Sequence, residues 1–275
     1  MHKIIVTHNA GFFSCSTVCL RSIIEHYNLH KVLPEVDRTH QYATYKDRDE
    51  TLIPIFFEEN IEQIQMEEIR WPSVFPSIEE DQFSNYKLLN FSEVNPVIKS
   101  YFNPSSTIVG LKNSLIEKYN IDCKKTIAIY YRGTDKLSET DLPEYSSFSA
   151  KLEEIKSLYP DHKILIQSDE IEFYQYMKSK YDVIAFDETT KSVRGGNGAH
   201  YIVPLGERTY QASLFFAIVL LMSSCDQLIL NSGNVGLWCS LYRGHSNGIH
   251  QYVRHKEFIY GTRNVAYGRQ SSYWI

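Results

Sequence analysis

The sequence predicts an α/β protein in which helices cover both faces of a parallel, doubly wound sheet. In the second half of the chain, apolar β-rich segments alternate with helical segments, which is the pattern of parallel strands joined by helices. Polar residues follow each of these strands, and 43% of the 275 residues are apolar. This length and composition support a packed core in one large or two small domains and exclude wholesale disorder.

The first strand and helix are predicted at the N-terminus. Residues 3–7 are rich in β-branched side chains and lead into a polar turn at residues 8–11. Ser14 or Ser16 is expected to cap a helix that continues to about Tyr27. The turn lacks the G-x-G-x-x-G pattern, which disfavours an oxidoreductase with a Rossmann dinucleotide site.

Residues 30–125 have a weaker pattern because several prolines divide them into short pieces. Residues 53–57 are predicted to form a strand. The acidic segment 58–69 is interpreted as a solvated face, with a helix as the alternative. Two helices are expected at residues 97–102 and 108–119.

The pattern becomes regular from residue 124 onward. Strands are predicted at residues 126–131, 163–167, 183–186 and 227–230. Helices are predicted at residues 145–158, 171–180, 210–224 and 235–242. These elements alternate along the chain, as the parallel sheet requires.

Charge and cysteine content narrow the possible functions. The net charge is -5 and no basic block is present, so nucleic acid is not expected as a partner. The number of cysteines is odd, at five, and no C-x-x-C pair is present, which disfavours a disulfide framework or a zinc site. A reducing compartment is the simplest interpretation. The longest apolar run, residues 214–222, is too short to cross a bilayer, and the N-terminus resembles a strand more than a signal peptide. We therefore expect a cytoplasmic protein without stable membrane insertion.

Polar clusters stand at the ends of four predicted strands. Because ligands of open parallel sheets bind at the carboxyl ends of the strands, these clusters are expected to meet in one crevice. The alternative is that turns favour Asp, Ser and Gly whatever the function. The clusters are Arg132 with Asp135, Ser168 with Asp169, Asp187, and Asn231 with Ser232.

Arg132 is the strongest candidate for contact with a phosphate. Its guanidinium offers a fork of donors that matches phosphate oxygens and stays charged at any working pH. Gly133 lets the backbone turn tightly behind it. A diphosphate leaving group needs such a countercharge as its bond to a sugar breaks. The alternative is a surface arginine paired with Asp135.

Several other segments carry weaker signals. The glycine-rich residues 195–198 could surround a phosphate, although a flexible hairpin explains them as well, and His200 could bind a base or phosphate. The D-x-D triplet at Asp47 and Asp49 follows no clear strand, so we interpret it as surface and predict no metal. Glu139 or Asp141 could serve as a general base, or could belong to an ordinary polar loop.

Three segments together resemble conserved motifs of the fucosyltransferase superfamily, which includes α-1,6-, α-1,2-, nodulation and protein O-fucosyltransferases. The run IAIYYRGTDK at residues 127–136 is similar to their arginine motif, His-x-Arg-Arg followed by Asp. Arg132 matches the first arginine, whereas Tyr130 replaces the histidine and Gly133 replaces the second arginine. The segments ILIQSDE at residues 164–170 and LMSSCDQLILNS at residues 221–232 resemble the second and third motifs in the same order.

The resemblance implies a GT-B-like architecture of two Rossmann-like domains that face a cleft. Residues 1–120 would bind the acceptor and residues 121–275 the nucleotide sugar. It also implies inverting transfer of fucose from GDP-fucose to a hydroxyl of a glycan or glycoconjugate, without a metal or other cofactor. Arg132 would stabilise the departing GDP, with Glu139 or Asp141 as the expected base. The expected donor-binding residues are Arg132, Gly133, Asp135, Lys136, Ser168, Asp169, His200, Asn231, Ser232, Gly233 and Asn234. The alternative function is a nucleotide-binding protein of the same fold without transferase activity, because one arginine stands where the motif has two.

Overall fold

The structure is a computed structural model that describes residues 2–49, 51–71, 78–134, 142–253 and 273–275. Its strands are β1 (Lys3–Ile5), β2 (Glu35–Asp37), β3 (Thr126–Tyr131), β4 (Lys163–Ser168), β5 (Val183–Ala185), β6 (Gln227–Asn231), β7 (Ile249–Val253) and β8 (Tyr273–Trp274). Its α-helices are α1 (Phe12–His30), α2 (Ile53–Phe56), α3 (Phe91–Tyr101), α4 (Ser106–Lys118), α5 (Tyr145–Leu158), α6 (Ile171–Lys178), α7 (Arg208–Ser223) and α8 (Asn234–Arg243).

A six-stranded sheet organises the second half of the chain, in the order β5-β4-β3-β6-β7-β8. The first five strands are parallel and β8 is antiparallel to β7. In the register of the sheet, Tyr131 of β3 lies beside Ser168 of β4, and Tyr130 lies beside Leu230 of β6. The residues that follow these three strands therefore leave the same edge of the sheet next to one another. The predicted α/β fold class with parallel sheets is confirmed.

The strands at the centre of the sheet form because their sequences suit burial on both faces. All six residues of β3 are buried, and its sequence TIAIYY consists mostly of β-branched and aromatic residues. Strand β6, with the sequence QLILN, is also buried throughout. The bounds predicted for β3 and for α5 are confirmed at both ends.

The described N-terminal region has a smaller sheet, in which β1 pairs in parallel with β2. Helix α1 connects these two strands along the chain. The predicted strand at residues 53–57 is wrong, because Ile53–Phe56 forms a short helix with proline in its first turn. Proline fits there because the first helical N–H groups need no partner within the helix. Segment 58–69 has no regular secondary structure, as the solvated interpretation predicts. Helix α1 begins at Phe12, so Ser14 and Ser16 lie inside it and do not cap it.

The hydrophobic core is continuous between the two halves of the chain. Helix α7 is almost wholly apolar, and it packs against α4 and α8. Phe13 of α1 stacks on Trp238 of α8 and lies edge-on to Phe216 of α7. A second cluster covers the other face of the large sheet with α5 and α6, where Tyr131 stacks on Phe173 at 4.4 Å between ring centroids.

All five cysteines are free thiols, and four of them are buried. None of the helices in the described ranges is both long enough and apolar enough to span a lipid bilayer.

Candidate functional site

A cavity of about 390 Å³ lies at the carboxyl ends of β3, β4 and β6. Its sheet side is formed by residues that leave these strands or lie near their ends: Tyr130, Arg132, Gln167, Asp169, Gly233 and Asn234. Its helix side is formed by the first turns of α1 and α7: Phe12, Phe13, Ser14, Arg208, Gln211, Ala212 and Phe215. The cavity stands where the strand-end argument predicts a ligand site.

Arg132 leaves β3 at the edge of the cavity, and Asp169 holds its guanidinium in place. The Nη1 atom forms an ion pair with Asp169 Oδ2 and donates a hydrogen bond to Thr134 Oγ1 at 3.0 Å. The backbone N–H of Arg132 donates to Asn231 Oδ1 at 3.0 Å, and Asn231 Nδ2 donates back to the carbonyl of Arg132 at 3.2 Å. Only 17% of the Arg132 side chain is exposed. The guanidinium is therefore oriented before any ligand arrives.

Gly133 is required because Glu170 is packed directly against it. A Cβ atom at Gly133 would overlap the carboxylate of Glu170, which no side chain can tolerate without a rearrangement. Glu170 is fully buried, accepts a hydrogen bond from the N–H of Thr134 at 3.2 Å and contacts the hydroxyl of Tyr145. Burial raises the pKa of its carboxyl. The second arginine of the fucosyltransferase motif could not occupy this position beside Glu170.

Asp169 ties the β3 and β4 strand ends together. Its Oδ1 accepts a hydrogen bond from the N–H of Gly133 at 2.9 Å, and its Oδ2 accepts one from Thr134 Oγ1 at 2.5 Å. Thr134 has a φ of 45°, a left-handed conformation that is unfavourable for a β-branched residue. The contacts to Asp169 and Glu170 hold it there, as strained residues at ligand sites are commonly held. Among the described residues that line the cavity, Asp169 is the only carboxylate.

A second arginine and the N-terminal ends of two helices also line the cavity. Arg208 opens α7 and lines the cavity, with its Nε donating to the carbonyl of Val203 at 3.4 Å. The first turns of α1 and α8 also line the cavity and contain no acidic residue. Because helix N-termini and guanidiniums both attract anions, this lining suits an anionic ligand.

Asp47 fixes the start of α7 on the helix side. Its carboxylate accepts hydrogen bonds from the backbone N–H groups of Gly206, Arg208 and Thr209 at 2.7–3.1 Å. Burial raises the pKa of Asp47, but these three donors together outweigh it and lower the pKa below its ordinary value. Asp47 is thus half-exposed near the surface, as the sequence predicts, but it also has a structural role that the sequence did not indicate, whereas Asp49 is exposed. The D-x-D triplet begins with a helix cap.

Aromatic residues cover much of the remaining cavity wall. Tyr130 stands where the fucosyltransferase motif has histidine, and it lines the cavity beside Arg132. His200 packs on Tyr201 at 4.0 Å and on Tyr45 at 5.7 Å between ring centroids, and all three line the cavity. The volume lies within the usual range of small-molecule sites, and flat aromatic walls beside cationic groups suit a ligand with a planar ring and phosphates.

The predicted site residues fall into three groups. Arg132, Asp169, His200, Gly233 and Asn234 line the cavity. Gly133, Ser168, Asn231 and Ser232 lie behind it and form hydrogen bonds that hold the strand ends: Ser168 Oγ accepts from the N–H of Glu170 at 3.0 Å, and Ser232 Oγ donates to the carbonyl of Tyr252 at 3.1 Å. Asp135, Lys136, Glu139 and Asp141 lie outside the described residues. Arg132 forms an ion pair with Asp169, and its pairing with Asp135 stays a prediction.

Sequence reasoning did not select several lining residues, most notably Arg208. Arg208 opens the long, mostly apolar helix α7, and a charged residue at the start of such a helix was the one signal that the sequence offered. Gln82 and Tyr45 come from the irregular N-terminal region, where no periodic pattern marks a site.

The cavity and the strand order define an α/β protein with a small-molecule-sized cavity at the carboxyl edge of a parallel sheet. No protein-family profile matches the sequence, and no curated protein sequence matches it.

Solved structures of fucosyltransferases have a similar fold. A structure of NodZ α-1,6-fucosyltransferase soaked with GDP-fucose aligns with a TM-score of 0.57 at 12% identity, over 99% of this chain and 98% of that chain. Fucosyltransferase NodZ from Bradyrhizobium aligns with a TM-score of 0.53 at 15% identity, over 91% and 95% of the two chains. A NodZ structure co-crystallised with GDP has a TM-score of 0.52 at 13% identity, over 91% and 94%. The resemblance to fucosyltransferases is thus confirmed for the GT-B-like fold.

Proposed function

We propose that this protein is a glycosyltransferase that moves fucose from GDP-fucose to a hydroxyl of a glycan or glycoconjugate, with inversion at the anomeric carbon. The observation that carries the proposal is the placement of Arg132 at the β3, β4 and β6 strand ends, where Asp169 holds it in a cavity that Arg208 also lines. The shared fold with fucosyltransferases that bind GDP-fucose or GDP supports the choice of donor.

In this proposal the diphosphate binds between Arg132 and the helix N-termini. As the sugar–phosphate bond breaks, the electron pair passes to the β-phosphate oxygen and negative charge grows there. A guanidinium that is already oriented stabilises this charge without reorganisation, which is the largest contribution that such a site can make. The two guanidiniums and the helix ends supply the positive charge, so the proposed reaction uses no metal.

The acceptor hydroxyl needs a base as it attacks the anomeric carbon from the opposite face. Glu139 and Asp141 are the proposed bases, since both follow the β3 strand end closely in sequence. Asp169 is less suited to this role because it already accepts hydrogen bonds from Gly133 and Thr134 and pairs with Arg132.

The remaining predicted donor-binding residues divide by position. Asp169, His200, Gly233 and Asn234 are proposed to contact the donor, whereas Gly133, Ser168, Asn231 and Ser232 position those that do. Asp135 and Lys136, three and four residues after Arg132, are also proposed to contact the donor. We further propose that residues 1–120 bind the acceptor and residues 121–275 the donor. Five unpaired cysteines support a cytoplasmic location, where thiols stay reduced.

A second candidate function is nucleotide binding without transfer. It is favoured by the ion pair of Arg132 with Asp169, because a carboxylate beside the guanidinium offsets part of the charge offered to a leaving group.

The experiment is a thermal-shift screen of the full chain against GDP, UDP, CDP and NAD, followed by assays of GDP release from GDP-fucose with and without glycan acceptors. Ligands that bind the native state raise the melting temperature by mass action, so GDP is expected to give the largest shift. Arg132→Ala should lower turnover by about 10²–10³-fold. Arg70→Ala is the matched control, because Arg70 is an exposed arginine paired with Glu93 away from the cavity. Wild-type turnover in Arg132→Ala would refute the mechanism, and GDP binding without GDP release would select the second candidate.

A further inference from the structure

Three histidines meet at the end of α1 that lies away from the cavity. His26 and His30 lie one turn apart on α1, and His2 comes directly before β1. The first turn of α1 lines the cavity at Phe12, and His26 follows 14 positions later, about 21 Å along the helix axis. This cluster is therefore separate from the proposed transferase site.

The rings are close enough to share one ligand. Their centroids are 4.4 Å apart for His26 and His30, 4.9 Å for His2 and His30, and 5.2 Å for His2 and His26. One nitrogen from each ring lies within 4.8 Å of the others. A tetrahedral metal with bonds of about 2.0–2.1 Å needs these nitrogens about 3.4 Å apart. His2 and His30 are exposed, so small side-chain rotations can close this gap.

One nitrogen of the cluster lacks the partner that most buried histidine nitrogens have. The Nε2 atom of His26 is buried and has no hydrogen-bond partner among the described residues. Three other histidines differ, since His8, His162 and His250 each bond to a neighbouring side chain through Nε2. A buried, unpaired imidazole nitrogen beside two other imidazoles is a group that a metal ion would satisfy.

We propose that His2, His26 and His30 form a binding site for a divalent transition metal of the zinc class. Imidazole suits Zn²⁺, Cu²⁺ and Ni²⁺, whereas Mg²⁺ and Ca²⁺ require oxygen ligands. The spacing of His26 and His30 on one helix face is the spacing that places two imidazoles on one metal. A fourth position is left for water. A bound metal joins the start of β1 to the end of α1, so it stabilises the N-terminal sheet and takes no part in sugar transfer.

The test is titration of Zn²⁺ into the metal-free full chain, without a histidine tag, by calorimetry, with Mg²⁺ as the second probe. We expect one Zn²⁺ per chain and no binding of Mg²⁺. His26→Gln and His30→Gln should each lower the affinity for Zn²⁺ by about 100-fold or more, since even partners of the ligands contribute 10–100-fold. His40→Gln is the matched control, because His40 is exposed and lies outside the cluster.

Circular dichroism without metal shows whether each variant is folded, and the exposed residues His2 and His30 provide variants that leave the core intact. Zn²⁺ should raise the melting temperature of the wild type and of His40→Gln but not of His30→Gln. Unchanged Zn²⁺ affinity in folded His30→Gln, or no binding to the wild type, would overturn the proposal. His30→Gln should bind GDP as tightly as the wild type does. A failure of the metal-site proposal can therefore be distinguished from a failure of the transferase proposal.

Discussion

The sheet side and the helix side of the cavity each contribute one arginine, but they hold it in different ways. On the sheet side, Arg132 is paired with Asp169, bonded to Thr134 and fixed through its backbone by Asn231. On the helix side, the guanidinium of Arg208 donates a long hydrogen bond of 3.4 Å to the backbone carbonyl of Val203. The guanidinium of Arg132 is thus held in place before ligand binding, whereas the guanidinium of Arg208 can adjust to the ligand although Asp47 fixes the start of α7. Substitutions on the two sides should therefore differ in size and kind.

The largest effect is expected where the sheet side is most crowded. Gly133→Ala places a Cβ atom within 3 Å of three atoms of the buried Glu170 side chain, so either Glu170 or the β3 strand end must move. We expect a loss of about 3 kcal/mol in the free energy of unfolding, measured by urea denaturation.

Gly110→Ala is the matched control for this glycine. Gly110 lies inside α4 and a Cβ atom there meets nothing within 4 Å, so the substitution should stabilise the helix by up to about 1 kcal/mol. Equal effects of the two substitutions would contradict the claim that Glu170 excludes a side chain at Gly133.

The two arginines provide the most direct comparison of the two sides. Arg132→Lys keeps the charge but loses the planar fork held by Asp169, so the affinity for GDP should fall by about 10–100-fold. Arg208→Lys should lower it by no more than about threefold, because the helix side can bring an ammonium to the same anion. Calorimetric titration of GDP measures both. A larger loss in Arg208→Lys would mean that the helix side carries the phosphate site.

The helix side depends on Asp47, which holds the first turn of α7 through three backbone N–H groups. Asp47→Ala should lower the free energy of unfolding by about 1–2 kcal/mol, as the loss of a helix cap does, and should loosen Arg208. Asp49→Ala, at an exposed position two residues later, should change it by less than about 0.5 kcal/mol. Similar urea midpoints for the two variants would show that Asp47 is not a cap.

The sheet side was more predictable from sequence than the helix side. The bounds of β3 and α5 follow from continuous apolar or helical patterns, and the end of β3 then locates Arg132. The Glu170 contact that demands Gly133 comes from the next strand end, and nothing in the local sequence of either residue marks it. Asp47 and Arg208 lie 161 positions apart, and their contact depends on how α7 packs in the shared core. The short helix at Ile53–Phe56 replaced a predicted strand because an apolar run of five residues fits either structure.

The smallest expected effect is at Glu188, which follows β5 and connects the end of α4 to the helix side of the cavity. Its carboxylate accepts a hydrogen bond from the hydroxyl of Tyr119 at 2.6 Å and contacts Lys118, while its backbone carbonyl accepts one from Gln211 of the helix side at 3.0 Å. Burial acts to raise the pKa of Glu188, but Lys118 and Tyr119 outweigh it and lower the pKa to about 2.

Because the folded-state pKa of Glu188 lies below its ordinary value near 4.5, the charged carboxylate stabilises the fold above about pH 4.5 and this contribution is lost as the pH falls toward 2. Lys118 is 59% exposed, so solvent screening limits the contribution to about 1 kcal/mol. Glu188→Gln should therefore lower the urea midpoint at pH 7 and change it progressively less as the pH is lowered from 4.5. A constant difference between the two proteins over that range would assign the effect to the packing of Tyr119, and the charge of Glu188 would then not stabilise this connection.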